Sequence, residues 1–423
     1  MQQIGKGNIA LIASASSHTR NRDVEFPFRQ DSDFYYLTGF NEADSLAVFI
    51  PGREQGEYIL FCREFDEKKA LWEGAHAGLE GATEHYAADD SFPIDDMDDI
   101  LPGLLEDRNK VFYPMGRDSD FDHQLLEWIG HLKKQSRSGV NAPGELVALE
   151  HTLHEMRLFK SAAELKLMRK AAEISCKAHE RAMQQCKAGL YEYQIESEVI
   201  HEFMQQGLRY VAYPSIVAGG KNACVLHYVE NRDKLKRGDL LLIDAGAECD
   251  HYAADITRTF PVSGKFSPAQ KLLYQLVLDA QYAAIEQIKP GNPWNNAHDE
   301  SVRVLTEGLV KLGLLKGRVS KLIKDEKYKQ FYMHRIGHWL GMDVHDVGDY
   351  KVDDEWRLLE PGMVLTIEPG LYIPENCEAV AAKWRGIGIR IEDDVLVTKE
   401  GYEVLTHTVP KEINEIEHLM QAT

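Results

Sequence analysis

The 423-residue sequence predicts a mixed α/β (α+β) protein in two parts. Short strand-like runs fill the first part, long amphipathic helices begin abruptly at Ser161, and from there a pattern of two helices followed by strands occurs twice. The expected boundaries are a smaller α/β domain over residues 1–160 and a larger domain over 161–423. Within the larger one the recurrence implies two related halves of roughly 110 residues each, a period too long for a solenoid array.

The run Ile9 to Ala13 reads as a first strand. The small-residue tract around it mimics a signal peptide, but its apolar core is too short for one. "LAVFIPG" and "EYILFC" follow as strands. The acidic tract "DDSFPIDDMDDI" lacks the spacing of a calcium loop and reads as a solvated face without function. At Ser161 a capping box with Glu164 opens a helix whose apolar positions are Leu165, Met168, Ala172 and Cys176. This helix is expected to run to Gly189, and "YEYQIESEVIHEFMQQG" forms the next, ending at Gly207. Strands lead on to Phe260. Ser267, Pro268 and Gln270 then cap a third long helix that stops at Pro290 and Gly291, "NNAHDESVRVLTEGLVKLG" forms a fourth, and "GMVLTIEPGLYI" and "GIGIRIEDDVLVT" read as strands.

Bulk properties narrow the function. A 44% hydrophobic chain of this length builds an ample core. With 68 acidic against 48 basic residues, its net charge of -20 argues against a nucleic-acid partner. Six cysteines without a CxxC pair fit the reduced thiols of a cytoplasmic protein better than a disulfide framework. No run approaches the roughly 20 apolar residues of a membrane span.

The stretch "LLIDAGAECDHYAADITRTF" places Asp244 and Asp255 in segments that otherwise read as buried sheet. "LLLID" is continuously apolar, whereas "ADITRTF" alternates and puts Asp255, Thr257 and Thr259 on one side. Read as a hairpin turning between Cys249 and Asp250, the stretch sets the two aspartates directly opposite, about 5 Å apart. Like charges that close and that buried are costly without a cation between them. By themselves, loop-capping aspartates account for the pattern slightly better.

The second half changes that balance. Glu368 ends an apolar strand in "TIEPG", and in "GIRIEDD" Arg390 and Glu392 share one face, so two more carboxylates sit inside strands, where Glu is uncommon. "HRIGHWLGMDVHD" adds His334, His338 and His345. Its glycines, Gly337 and Gly341, argue for an extended or looped segment rather than a zinc-protease helix. Any one histidine alone reads as structural. Three beside four in-strand carboxylates read as a metal centre of mainly oxygen ligands, suited to Mn²⁺, Co²⁺ or Mg²⁺. So many charges can hold two ions about 3.5 to 4 Å apart, which activate a bridging water for hydrolysis.

With these residues in order, the chain resembles the proline-specific metallopeptidases of pita-bread family M24, the Xaa-Pro aminopeptidase (aminopeptidase P) group above all. The resemblance covers essentially the whole chain and implies a creatinase-like N-terminal domain, carrying "FRQDSDFYYLTGF", before a catalytic domain of two related halves. It implies the ligand set Asp244, Asp255, His338, Glu368 and Glu392 for two divalent ions, Mn²⁺ first, with Co²⁺ or Zn²⁺ as alternatives. Asp255 and Glu392 would bridge the ions, Asp244 would bind one, and His338 with Glu368 the other. Glu368 would also serve as general base. His227 would lie beside the scissile carbonyl, His345 would hydrogen-bond the developing oxyanion, and His334 would wall the proline pocket. Tyr372 and Arg390 would orient the ligands, and Trp72, in "LWEGAHAG", would reach a neighbouring subunit. The implied partners are proline-containing peptides and further copies of the chain, as a dimer or tetramer.

Prolidase shares these ligands but cleaves only dipeptides, and its last two glutamates are usually further apart than the 24 positions from Glu368 to Glu392. Methionine aminopeptidase lacks the N-terminal domain. A non-catalytic peptide-binding module on the same scaffold would have damaged ligands, and all five are intact.

Overall fold

The structure, a computed structural model, describes residues 1–421. The chain forms two compact units, Met1–Met156 and the remainder from Arg157 onward. The division falls a few residues before Ser161, inside the helix Glu150–Leu158, where nothing in the local composition marks it.

The first unit is built on one six-stranded sheet, in the order Asp90–Pro93, Tyr58–Cys62, Leu46–Phe49, Ile9–Ala13, Lys110–Tyr113, Glu145–Ala148. The strands Ile9–Ala13, Leu46–Phe49 and Tyr58–Cys62 run antiparallel to one another, and the remaining pairings are parallel. Strand alternation divides the core: Ile9 and Leu11 pack with Leu125, Trp128 and Ile129 on one face, Ala10 and Ile12 with Phe34 and Phe40 on the other. The acidic tract forms the edge strand Asp90–Pro93 and the start of the helix Met97–Leu105, and Asp98 accepts a hydrogen bond from the Trp128 indole at 3.0 Å.

In the second unit Ser161 and Glu164 form the expected capping box on the helix Ala162–Gln185, and Ser267 with Gln270 caps Pro268–Ile285. The first helix ends at Gln185, short of Gly189. Cys186 turns to extended backbone, and Gly189, at φ 98°, serves the following turn, where its N–H bonds Leu235. The second helices of the two halves are Glu192–Gln205 and Asn295–Lys311.

Between and after these helices lie the strands that carry the site. Leu240–Asp244 is central in an antiparallel sheet, flanked by Ile216–Gly219 and Thr257–Pro261. The hairpin turns on Asp250 and His251, whose left-handed φ values of 46° and 69° are those of a tight two-residue turn between Cys249 and Tyr252. The turn is therefore one position later than the sequence suggests, and Asp244 faces Thr257 rather than Asp255. The offset of two preserves the face, so both aspartates still project to one side of the sheet. In the second half Val364–Ile367 pairs with Asp393–Val397, and Gly370–Ile373 with Ile387–Arg390. Ile367 lies opposite Asp393 and Gly370 opposite Arg390, a common register that puts Glu368 opposite Glu392 at the break between the two ladders. No helix among the described residues is long and apolar enough to cross a membrane.

Candidate metal centre and active site

The nine residues singled out by sequence, Asp244, Asp255, His227, His334, His338, His345, Glu368, Arg390 and Glu392, all line one cavity of about 480 Å³. Each half delivers its acids from strand ends, where the ladder breaks and the side chains are freed to point at a common centre.

Ligand-type atoms of Asp255, His338 and Glu392 lie within 4.8 Å of one another. His338 Nε2 is 3.4 Å from Asp255 Oδ2 and 3.9 Å from Glu368 Oε1. Its Nδ1 lies 3.0 Å from the Trp339 carbonyl, which can only accept, so Nδ1 carries a proton and Nε2 is the nitrogen that faces the carboxylates, free to serve as a ligand once it is deprotonated. The segment that bears it runs antiparallel to Val364–Ile367: Thr366 N–H donates to the His338 carbonyl at 2.9 Å and Glu368 N–H to that of Ile336 at 2.7 Å. Gly337 is what permits this approach, because a Cβ there would lie 1.9 Å from the Thr366 carbonyl oxygen. Gly337→Ala is expected to displace His338 and weaken metal binding by roughly 10- to 100-fold. A metal titration of the folded variant checks this, and parental affinity would contradict it.

The electrostatics show a cluster with an excess of negative charge. Burial, reinforced by Asp255 and Asp244, raises the Glu368 carboxyl to about 7 against the pull of His338 and Arg390. Burial and the charges of Asp255 and Glu368 push Glu392 well above the ordinary range, and burial raises Asp244 despite Arg390. Burial acts on Asp255 too, but His338 and Tyr213 hold it below its usual value. Burial opposes charge on His338, yet Asp255 and Glu368 raise it to about 9. A buried carboxylate set under this tension, with an imidazole nitrogen aimed into it, is chemically suited to a divalent cation.

Around the ligands runs a ring of hydrogen bonds. Arg390 Nη2 donates to Asp244 Oδ2 at 2.6 Å, its Nε to Thr257 Oγ1 at 3.1 Å and its Nη1 to Tyr372 Oη at 3.1 Å. Thr257 Oγ1 in turn donates to Glu392 Oε2 at 2.7 Å. His334, lowered to about 4 by burial and by Arg390, is neutral: Nδ1 donates to the Arg335 carbonyl at 2.7 Å and Nε2 accepts from the Tyr372 hydroxyl at 2.8 Å. His345 packs edge-on against His338 with ring centroids 4.3 Å apart, and burial and the neighbouring His338 lower its pKa. His227 is exposed on the cavity wall.

Three contributors were not foreseen. The Tyr213 hydroxyl lies 2.6 Å from Asp244 Oδ1 and 2.5 Å from Asp255 Oδ1. One hydroxyl hydrogen can serve only one of them at a time, and burial with the two charges lifts the phenol well above its ordinary value. Nothing in "YVAYPSIV" announces this, because Tyr213 reaches the site from outside the regular ladders. Asp394 accepts the Asp255 N–H at 3.2 Å. Asp393 accepts from Arg258 at 2.7 Å and Lys411 at 2.6 Å, and these two cations hold it down at about 2 against burial. The run "EDD" thus holds three acids with three separate jobs. Trp72 lies on the helix Glu67–Glu73 of the first unit, 89% exposed.

A buried carboxylate and imidazole cluster at strand ends of a duplicated α/β unit defines a metallohydrolase. The profile of metallopeptidase family M24 matches residues 166–399, more than half of the chain, and that of the aminopeptidase P N-terminal domain matches residues 1–113. The chain belongs to metallopeptidase family M24, with that family's pita-bread catalytic domain behind a separate N-terminal domain.

More particularly, it is similar to the Xaa-Pro aminopeptidases. That of Escherichia coli is 44% identical over 423 residues, covering 100% of this chain and 96% of the relative, and that of Haemophilus influenzae is 45% identical over 418, covering 99% and 94%. Among solved structures, the aminopeptidase PepP of Pseudomonas aeruginosa superposes with a TM-score of 0.99 at 57% identity, covering 100% of this chain and 95% of that one. A zinc-substituted E. coli aminopeptidase P in complex with product gives 0.96 at 44% identity, covering 99% and 95%.

Proposed function

We infer that the chain is an Xaa-Pro aminopeptidase, which releases the first residue of peptides whose second residue is proline. The observation that carries this is the convergence of an intact Asp244, Asp255, His338, Glu368 and Glu392 set on one cavity, in a chain similar to such enzymes over its whole length. In our reading the set would hold two divalent ions, Mn²⁺ by preference: Asp255 and Glu392 would serve both, Asp244 one, and His338 with Glu368 the other. When bound, such ions polarise the scissile carbonyl and supply a nucleophilic water near neutral pH.

The protein's own residues do the rest. Glu368, at the end of its strand on the cavity wall, would accept a proton from the attacking water and return it toward the proline nitrogen. Asp244 faces the substrate's amino group. His345 and His227 flank the scissile carbonyl, where a donor acts on charge that develops only in the transition state. Neutral His334 walls the proline side, and Arg390 fixes Asp244 and, through Thr257, Glu392. Six free cysteines support a cytoplasmic location. The exposure of Leu71 and Trp72, 86% and 89%, supports assembly into a dimer or tetramer through that helix.

The purified protein with Mn²⁺ is expected to cleave Arg-Pro-Pro, to lose that activity to a chelator and to regain it with the metal. Hydrolysis of Ala-Pro without action on the tripeptide would instead make it a prolidase. No turnover of either would leave a peptide-binding module.

A further inference from the structure

Arg335 adjoins His334 and lines the same cavity. Its guanidinium lies 5.3 Å from the Trp294 ring centroid and 4.9 Å from that of Trp356, and donates to the Asn295 side-chain oxygen. The two indoles stack 5.7 Å apart with a 21° angle between planes, and Trp294 is 2% exposed, so the platform under the cation is rigid. Its one hydrogen-bond partner is neutral, and no carboxylate among the described residues is ion-paired with it. In a chain of net charge -20, an exposed arginine held in place at the cavity wall without an acidic partner is unusual. Asn295 and Trp356, which hold it, also line a second groove of about 790 Å³ together with Asp299, Arg357 and Leu358.

We propose that Arg335 forms a carboxylate-binding subsite for the residue that follows proline in the substrate. The inference rests on the functional reading above, which puts the amino group at Asp244 and proline at His334. The chain beyond proline then leaves across Arg335 toward the second groove. A guanidinium presents paired N–H donors that match a carboxylate, and the two indoles fix its plane without neutralising it. The ligand is a carboxylate at that position, supplied by the C-terminus of a tripeptide or by an acidic side chain.

The test compares the Mn²⁺ enzyme and its variants on Ala-Pro-Ala, Ala-Pro-Ala-amide and Ala-Pro-Asp-amide at low ionic strength, where an exposed charge pair is least screened. In the parent, at least one carboxylate-bearing peptide should exceed the plain amide in kcat/KM by roughly five- to tenfold, with the difference in KM. Arg335→Gln should bring that ratio close to one, and Arg335→Lys should restore part of it. A preference confined to Ala-Pro-Ala assigns the subsite to the peptide C-terminus; one confined to Ala-Pro-Asp-amide assigns it to a side chain. Parental ratios near one for both peptides, or ratios unchanged in Arg335→Gln, overturn the proposal while cleavage of the plain amide leaves the aminopeptidase reading standing. No cleavage of any of the three by the parent refutes that reading and the subsite with it.

Discussion

Asp255→Ala will lower kcat/KM by at least roughly three orders of magnitude, about 4 kcal/mol of transition-state stabilisation. Asp255 is shared by the close group with His338 and Glu392 and by the Tyr213 contact with Asp244, so its loss affects every ligand at once. The fold is expected to survive. The strand Leu240–Asp244 is buried and paired on both sides, and removing one charge relieves Asp244, Glu368 and Glu392, which burial and their like-charged neighbours raise. Folded protein, metal content and peptide turnover measured together decide the matter. Full activity in the variant would refute the site.

Asp393→Asn should act in the opposite sense, on stability first. Asp393 is fully buried and pairs with Arg258, itself buried, and with Lys411. Neutralising it leaves two cations without their anion, a loss of about 3 to 5 kcal/mol for a broken buried pair. At roughly 2 to 4 °C per kcal/mol for a unit of this size, the melting temperature should fall by about 10 °C. The same group sets an acid limit. Its carboxyl is depressed to about 2, so the stability it contributes is complete above the unfolded carboxylate range and is lost as pH falls through that range toward 2. A thermal melt within about 2 °C of the parent would show that the Arg258 bonds to the Glu392 and Val409 carbonyls suffice without the ion pair.

The contrast between Asp255 and Asp393 bears on what the sequence made legible. The ligand residues could be read because carboxylates inside apolar strands violate local preference, and such violations mark function. Helix starts at Ser161 and Ser267 could be read because capping is chemistry between residues three apart. The hairpin register at Asp244 could not, since it depends on Asp250 and His251 both adopting left-handed backbone, which neither residue type compels. Tyr213, Asp393 and Asp394 escaped for a different reason. Their partners are 18 to 139 residues away, and no local period records such contacts.

The bond from Thr257 to Glu392 spans 135 positions and that from Arg390 to Asp244 spans 146. The site is therefore closed by long-range contacts, the kind that form after local structure because a long loop must first be brought together. A growing chain that has finished Asp244 and Asp255 has only half a cradle, and at roughly 5 to 20 residues per second it waits many seconds for the rest. A chain cut before its last glutamate carries four of the five ligand residues and lacks Glu392, the acid to which Thr257 donates.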